Sequence, residues 1–312
     1  MNIKTRLREF KAGMAPTIKE LKFTLSRIRK NPLSIIGIGI IIFFVAVAIL
    51  APVLAPPPPT SRDPYMIPRD GFWSEPKPPS PTHPFGTLPG QYDLYYGIIW
   101  GTRTAFRIGI IVVAAALAIG LTMGLIAGYY GGIIDELMMR FTDIIFAFPG
   151  LILAMALVTA LGKNLDNVLL ALVLVGWPSY TRVIRGEVMR VKQEDYIEAS
   201  RAAGCSDLRI ITKHVIPNAI YPLLIIASLD IGAMVLTAAA LSFLGLGASQ
   251  GYADWGQMIS VSRDWITGKP GQPFIYAHTF LIPGLCIFAF VLGWNLLGDA
   301  FRDILDPTLR RR

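Results

Sequence analysis

Long apolar runs without charged residues constrain the fold of this chain more than any other feature. The first, 33–54, holds about 22 residues and would be about 33 Å long as a helix, enough to cross the hydrocarbon core of a bilayer. Further runs lie at 108–128, 144–161, 168–180 with a continuation to 184, 219–246 and 280–297. Because a backbone in lipid must satisfy its own hydrogen bonds, these runs predict an all-α polytopic membrane protein with six transmembrane helices.

Composition agrees with a membrane protein. Of the 312 residues, 53% are hydrophobic and 16% are charged, whereas soluble domains carry about 25% charged residues. The net charge of +8 could indicate nucleic acid binding, but the basic residues lie outside the apolar runs, so we predict the lipid bilayer and no nucleic acid as a partner. The two cysteines, Cys205 and Cys286, lie in a polar loop and in an apolar run, which argues against a disulfide framework.

Basic residues also predict the orientation. Nine precede residue 33 and seven lie between 182 and 213, whereas the segments 55–97 and 247–278 together hold five. The positive-inside rule therefore places both termini and the loop after the fourth run in the cytoplasm, with the chain in the cell (inner) membrane.

The runs divide the chain into segments. We predict a basic N-terminal segment (1–32), with a helix lying on the inner leaflet over 17–30, and a first transmembrane helix (33–54). A Pro-rich extracytoplasmic segment (55–97) follows; it favours polyproline geometry, cannot easily form a core, and would be a spacer or a contact for an external protein. The five-helix core (98–312) contains the coupling loop (190–217) and an extracytoplasmic segment (247–278), a lip over the pore or a docking surface.

The coupling loop has more pattern than a connector needs. A first short helix over 196–203 would place Tyr196, Ala199 or Ser200, and Ala203 on one face, with Gly204 at its end. Ser206 is suited to cap a second helix with Asp207 in its first turn, and Pro217 marks the start of the next. These features predict a folded docking element.

The sequence shows no recognisable motif for binding a nucleotide or a metal ion. The Gly-Lys pairs at 162–163 and 268–269 are followed by Asn164 and Pro270, so neither forms a phosphate-binding loop. His83, His214 and Cys205 show no ligand spacing. We therefore expect a chain that is not an enzyme by itself and has no cofactor of its own.

Several small or polar residues lie within the apolar runs. Gly120, Gly124 and Gly128 form a small-xxx-small pattern that allows close helix packing. Asp230, Trp294 and Asn295 are candidates for the translocation path. Asp143 is a further candidate for a functional acid within the membrane. The alternatives are a polar contact between helices for Asp230, packing for Trp294 and Asn295, and a solvated position for Asp143.

The coupling loop resembles the EAA loop of permease subunits in ATP-binding-cassette (ABC) importers. Glu198-Ala199-Ser200 matches Glu-Ala-Ala with one substitution, Gly204 takes the glycine position, and Ile216-Pro217 replaces Leu-Pro. Further motifs look like the dipeptide, oligopeptide and nickel branch: Gly128 to Gly132, Asp135, Met139-Arg140, Asp143, Ala147 to Pro149, Gly176-Trp177, Tyr180, Arg182, Arg185-Gly186, His214 to Asn218, Leu241 to Gly247, Gly298-Asp299 and Asp306-Pro307.

An outer motif, His83-Pro84-Phe85-Gly86-Thr87, is similar to that of the C-type permease in this branch. The residues after it depart from the family pattern, since Leu88, Gln91 and Tyr92 replace Asp, Gly and Arg, and Ala238 stands where a Glu is common. We expect these differences to lie toward the outer side or the translocation path. The substrate therefore stays open between di-/oligopeptides and the di-/oligosaccharides that some relatives carry.

The resemblance implies the type I ABC importer permease fold. It also implies a homologous permease partner, two ATPase subunits that bind ATP and Mg²⁺, and an extracytoplasmic substrate-binding protein. The implied ATPase-coupling residues are Glu198, Ala199, Ser200, Arg201, Gly204, Ser206 and Asp207, of which Glu198 and Arg201 are the expected polar contacts. A rival interpretation is a proton-coupled secondary transporter that uses Asp143 and Asp230 as relays.

Overall fold

The computed structural model describes residues 31–59 and 61–305, so the predicted inner-leaflet helix lies outside the described residues. The longer helices are α1 (Pro32–Leu54), α2 (Leu94–Tyr130), α3 (Gly132–Phe146), α4 (Gly150–Leu161), α5 (Leu165–Val191), α9 (Tyr221–Phe243) and α11 (His278–Leu305). The shorter ones are α6 (Asp195–Ala202), α7 (Asp207–Ile210), α8 (Ile216–Ala219) and α10 (Trp255–Val261), with a π-helical turn at Ile211–Val215 and a 3-10 turn at Arg263–Trp265. Strands β1 (Thr87–Leu88) and β2 (Tyr92–Asp93) pair antiparallel, with Thr87 opposite Asp93.

Five helices, α1, α2, α5, α9 and α11, are long and apolar enough to cross a membrane. Helices α3 and α4 meet at an angle of 83° and give a sixth span when the bent pair is taken together. The third predicted run, 144–161, is therefore divided between two helices and is not one continuous helix. The helix breaks before Pro149, because proline lacks an N–H and disfavours helical geometry at the preceding residue, Phe148.

Packing of α2 against α5 forms the centre of the bundle, and the small-xxx-small prediction is confirmed. A Cβ added to Gly124 would overlap the side chain of Ile184, and one added to Gly128 would lie 2.9 Å from the carbonyl oxygen of Arg185. The glycines therefore let the two backbones approach more closely than any side chain would allow.

Contacts between helix ends define two ends of the bundle. At one end, Nδ2 of Asn31 donates to Asp303 at 3.2 Å. At the other, Nε1 of Trp100 donates to the carbonyl of Ala55 at 2.9 Å. The coupling loop lies at the first end, and residues 61–93 and 244–277, which we call the cap, lie at the second.

The cap shares a hydrophobic core with the spans, since the cluster that holds Ile67 and Leu88 also holds Leu94 and Trp100 of α2. Ile67 and Leu88 are buried. The amide of Ile67 donates to the carbonyl of Gly251, and that of Ala253 to the carbonyl of Tyr65, each at 2.8 Å. These bonds join the two extracytoplasmic segments predicted from the sequence into one folded unit.

Candidate functional site

The coupling loop contains the short helices that the sequence predicted. Helix α6 ends one residue before the predicted limit, and Gly204 follows with φ of +78°, a backbone conformation that favours glycine. Pro217 lies in the first turn of α8. Ser206 precedes α7 in an extended conformation, but its hydroxyl makes no capping hydrogen bond. Ser206 therefore occupies the predicted N-cap position of α7 without a side-chain cap.

Two isoleucines anchor the coupling loop to the bundle. Ile197 on α6 and Ile210 on α7 are fully buried, in a cluster that includes Val188 and Val191 of α5. The face that the sequence placed around Tyr196 points outward, since 41% of Tyr196 is exposed. Sequence reasoning missed the anchors, although Ile197 is the only large aliphatic residue within α6.

Outside these anchors, the coupling loop presents an accessible surface. Leu208 is 71% exposed and contributes an apolar group to this surface. From residue 198 to the end of α7, the other exposed residues are Glu198, Ala199, Arg201, Ala202, Ala203, Gly204, Ser206, Asp207 and Arg209, while Ser200 is partly buried. The loop thus combines an apolar inner side with an exposed outer side that carries both small and charged groups.

Tyr129, at the end of α2, connects three parts of this region. Its hydroxyl donates to Oδ1 of Asp207 at 2.6 Å. Its carbonyl accepts from Nζ of Lys192 at 2.5 Å, and the guanidinium of Arg201 lies 5.7 Å from the centre of its ring. Tyr129 is 3% exposed. It therefore joins α2 to the end of α5 and to both short helices, a role that its place in the sequence motif did not reveal.

A pocket of about 410 Å³ lies between part of the coupling loop and the ends of α2, α3 and α5. Glu198 and Arg201 line it together with Asp135, Lys192 and Gly128. Glu198 and Arg201, the predicted polar contacts to an ATPase, therefore line this pocket and are also exposed on the outer surface of the loop. Their role toward an ATPase stays a prediction.

Two ion pairs connect α3 to α5 beside this pocket. Nε and Nη2 of Arg185 each donate to one oxygen of Asp135 at 2.5 Å, a bidentate arrangement with restrictive geometry. Nη2 of Arg182 donates to Asp143 at 2.6 Å, and both side chains are about half exposed (50% and 54%). The position of Asp143 thus agrees with the solvated alternative.

The translocation-path candidates make contacts between helices. The hydroxyl of Tyr180 on α5 donates to Asp230 on α9 at 2.7 Å. Trp294 packs on α9, because a Cβ added to Gly232 would lie 3.4 Å from the Cβ of Trp294. Asn295 is exposed on α11. These positions agree with the alternative roles, a polar contact between helices for Asp230 and packing for Trp294. A role of these residues in the translocation path stays a prediction.

His83 holds the cap to the start of α2. Its Nδ1 lies 2.8 Å from Asp93 and its Nε2 lies 2.8 Å from Asp70. Asp93 also accepts from the amide of Tyr96 at 2.9 Å and so caps α2. Burial alone lowers the pKa of His83, but the hydrogen bonds to Asp93 and Asp70 prevail and raise the pKa above its ordinary value of 6.5.

The residues that depart from the family pattern are mostly interior. Leu88 is 2% exposed, Gln91 is 1% exposed and Ala238 is 1% exposed. Gln91 has φ of +61° in the β1–β2 turn, a conformation that glycine adopts without strain. These positions lie on the cap side, as expected, but packing accounts for them, so they do not themselves form a substrate-binding surface.

The bundle has the fold of a type I ABC importer permease. A solved chain of the MetNI methionine ABC transporter, in inward-facing conformations, superimposes with a TM-score of 0.53 and 20% identity, covering 68% of this chain and 97% of that one. Residues 120–311 match the family described as "Binding-protein-dependent transport system inner membrane component". Residues 22–79 match "N-terminal TM domain of oligopeptide transport permease C".

Curated relatives agree with the family. A dipeptide transport system permease protein of Alkalihalophilus pseudofirmus is 40% identical over 284 residues, 91% of this chain and 88% of the relative. A glutathione transport system permease protein of Pectobacterium atrosepticum is 39% identical over 232 residues, 74% and 75% of the two chains. The chain therefore belongs to the binding-protein-dependent transport system inner membrane components, the multi-pass permease chains of ABC importers, and the family resemblance is confirmed.

The Tyr129–Asp207 contact gives a first prediction. Replacing Tyr129 by Phe removes a hydrogen bond to a charged group, which contributes about 1.5–3 kcal/mol. We expect amide hydrogen exchange over residues 195–210 to accelerate by about tenfold or more in the purified transporter, since local opening becomes easier. The matched control is Tyr130→Phe, because Tyr130 is adjacent and 53% exposed, and its ring packs edge-on against that of Tyr129. Equal protection in the two variants would contradict the role of Tyr129.

A second prediction concerns pH. Because the pKa of His83 is raised in the folded cap, its stabilising contribution is complete below about pH 6.5 and is lost as pH rises through the raised value. The melting temperature of the purified transporter should therefore exceed that of His83→Gln by more at pH 6 than at pH 8.5. A gap of the same size at both pH values would show that protonation of His83 does not stabilise the cap.

Proposed function

We propose that this chain is a transmembrane subunit of an ABC importer that takes up di- or oligopeptides, with ATP hydrolysis on partner chains as the energy source. The observation that carries the proposal is the coupling loop, which is anchored by buried isoleucines on one side and exposed on the other. A rigid, accessible element of this kind can transmit a movement, whereas a flexible connector would absorb it.

The proposed partners follow from this arrangement. A homologous permease completes the pathway, two ATPase subunits bind ATP and Mg²⁺ and dock on the coupling loop, and a binding protein delivers the substrate at the cap. The distribution of basic residues supports a cytoplasmic position for both termini and the coupling loop. The cap then faces the outside of the cell membrane.

Movement of the ATPase pair would reach the spans through named contacts. A displacement of α6 and α7 acts on the end of α2 through Tyr129 and on α5 through Ile197. The Arg185–Asp135 pair extends the connection to α3. In the rival interpretation, Asp230 and Asp143 would relay protons. Tyr180 donates a hydrogen bond to Asp230 and Arg182 donates one to Asp143, and we do not propose that function.

Gly204 provides a sharp test of coupling. A Cβ at this position would meet nothing within 4 Å, so substitution acts through the backbone alone. Gly204→Val would cost about 1–2 kcal/mol in the left-handed conformation, whereas asparagine adopts it readily. In proteoliposomes with the complete complex, we expect Val to reduce uptake by about tenfold while ATP hydrolysis continues, and Asn to stay within about twofold of the natural chain.

Charge reversal tests the same surface independently. Glu198→Arg should uncouple uptake from hydrolysis, and Glu136→Arg, an exposed position on α3 outside the coupling loop, is the control. If Glu198→Arg and Gly204→Val both transport normally, the coupling role of this loop is refuted.

Substrate class is the remaining part of the proposal. The two relatives described above are named for dipeptide and glutathione transport, and both substrates are peptides. We therefore favour peptides over di- or oligosaccharides. Mass spectrometry of the ligands retained by the co-purified binding protein should find short peptides, and retained sugars would overturn this assignment without affecting the coupling mechanism.

A further inference from the structure

Arg103 has an unusual position between α1 and α2. Pro52 lies inside α1 and has no N–H, so the carbonyl of Ala48, four residues earlier, loses its helical donor. Nε of Arg103 donates to that carbonyl at 2.6 Å. The guanidinium also lies 5.0 Å from the centre of the Trp100 ring. Arg103 is therefore held at a defined place within the spanning part of the protein.

The charge of Arg103 has no counterion among the described residues. Its neighbour one turn further along α2, Arg107, forms an ion pair with Asp166 at 2.5 Å. Arg103, in contrast, has no carboxylate within 4 Å in the described part of the chain, and its side chain is partly buried. A partly buried charge between membrane-spanning helices is costly unless an anion compensates it.

Arg103 lines a groove of about 440 Å³ between α1, α2 and α11. Its apolar lining consists mainly of Ile41, Val45, Ile49, Phe106, Ile110 and Trp294. The rim is open, since Val45 is 38% exposed, Ile49 67% and Ile110 50%. The groove therefore faces outward from this chain and is not an internal void.

The groove has a polar end and an apolar end. Arg103 and Tyr65 lie at the end toward the cap, whereas Ile41 and Ile110 lie deeper in the spans. From Ile49 to Ile41, α1 rises by about 12 Å, which is most of the depth of one leaflet, about 15 Å. The carbonyl of Ala48, which Arg103 contacts, lies about 9 Å before the cap-side end of α1 at Leu54. The positive charge is thus within the cap-side half of the span, and the apolar part lies deeper.

We propose that this groove binds a phospholipid of the cap-side leaflet, with the phosphate at Arg103 and an acyl chain along α1 and α2. The phosphate supplies the anion that Arg103 lacks, and Nη1 and Nη2 are the donors left after Nε bonds to Ala48. The acyl chain covers the exposed isoleucines. Such a lipid would fix the proline-containing segment of α1 against α2.

The test uses the complete transporter purified from nanodiscs of phosphatidylglycerol and phosphatidylethanolamine. Native mass spectrometry measures the phospholipid that is retained. We expect Arg103→Gln to reduce retention by about tenfold, the effect of losing one charge-assisted hydrogen bond. Arg103→Lys should keep most of the retained lipid because the charge is kept, and Arg107→Gln should match the natural chain.

A photoreactive p-benzoylphenylalanine at position 110 identifies the occupant while Arg103 is intact, so the result does not depend on how Arg103 variants fold. A phospholipid adduct supports the proposal. Crosslinking to the partner permease instead would show that a protein covers the groove and would overturn it. Equal lipid retention in Arg103→Gln and Arg107→Gln would also overturn it.

Discussion

Close packing of α2 against α5 is the constraint on which the functional parts of this protein depend. Glycines at 120, 124 and 128 allow the contact, because any side chain there would overlap α5. Both helices carry residues that contact the coupling loop at the same end, Tyr129 on α2 and Val188 and Val191 on α5. The spacing of the two backbones therefore fixes the spacing of the groups that hold the coupling loop.

The coupling loop is stabilised by two kinds of interaction with different consequences. Buried isoleucines attach the loop to the bundle but do not fix its orientation, since apolar contacts are not directional. Two polar contacts restrict orientation, because their geometry is restrictive: the hydrogen bond from Tyr129 to Asp207 and the bidentate Arg185–Asp135 pair. Together they make the short helices and the ends of α2, α3 and α5 a connected unit, which is what transmission of a movement requires.

The opposite end of the bundle is organised around charge. His83 bridges Asp70 and Asp93, and Asp93 in turn caps α2. Glu75 accepts hydrogen bonds from Lys269 and Tyr276 and so links the two halves of the cap. A segment rich in proline is thereby ordered through side-chain contacts in addition to backbone hydrogen bonds such as that from Ile67 to Gly251.

Five of the six spans, the short helices of the coupling loop and the turn at Gly204 were predictable from the sequence, because apolar periodicity, chain length and glycine conformation are local properties. Tertiary structure decided which residues meet. Tyr129 and Asp207 are 78 positions apart, and Arg103 and Ala48 are 55 apart. Such pairs depend on the rotation and depth at which helices pack, which no local pattern encodes. For the same reason the cap, which joins segments separated by the eight helices α2 to α9, was visible only in the folded chain.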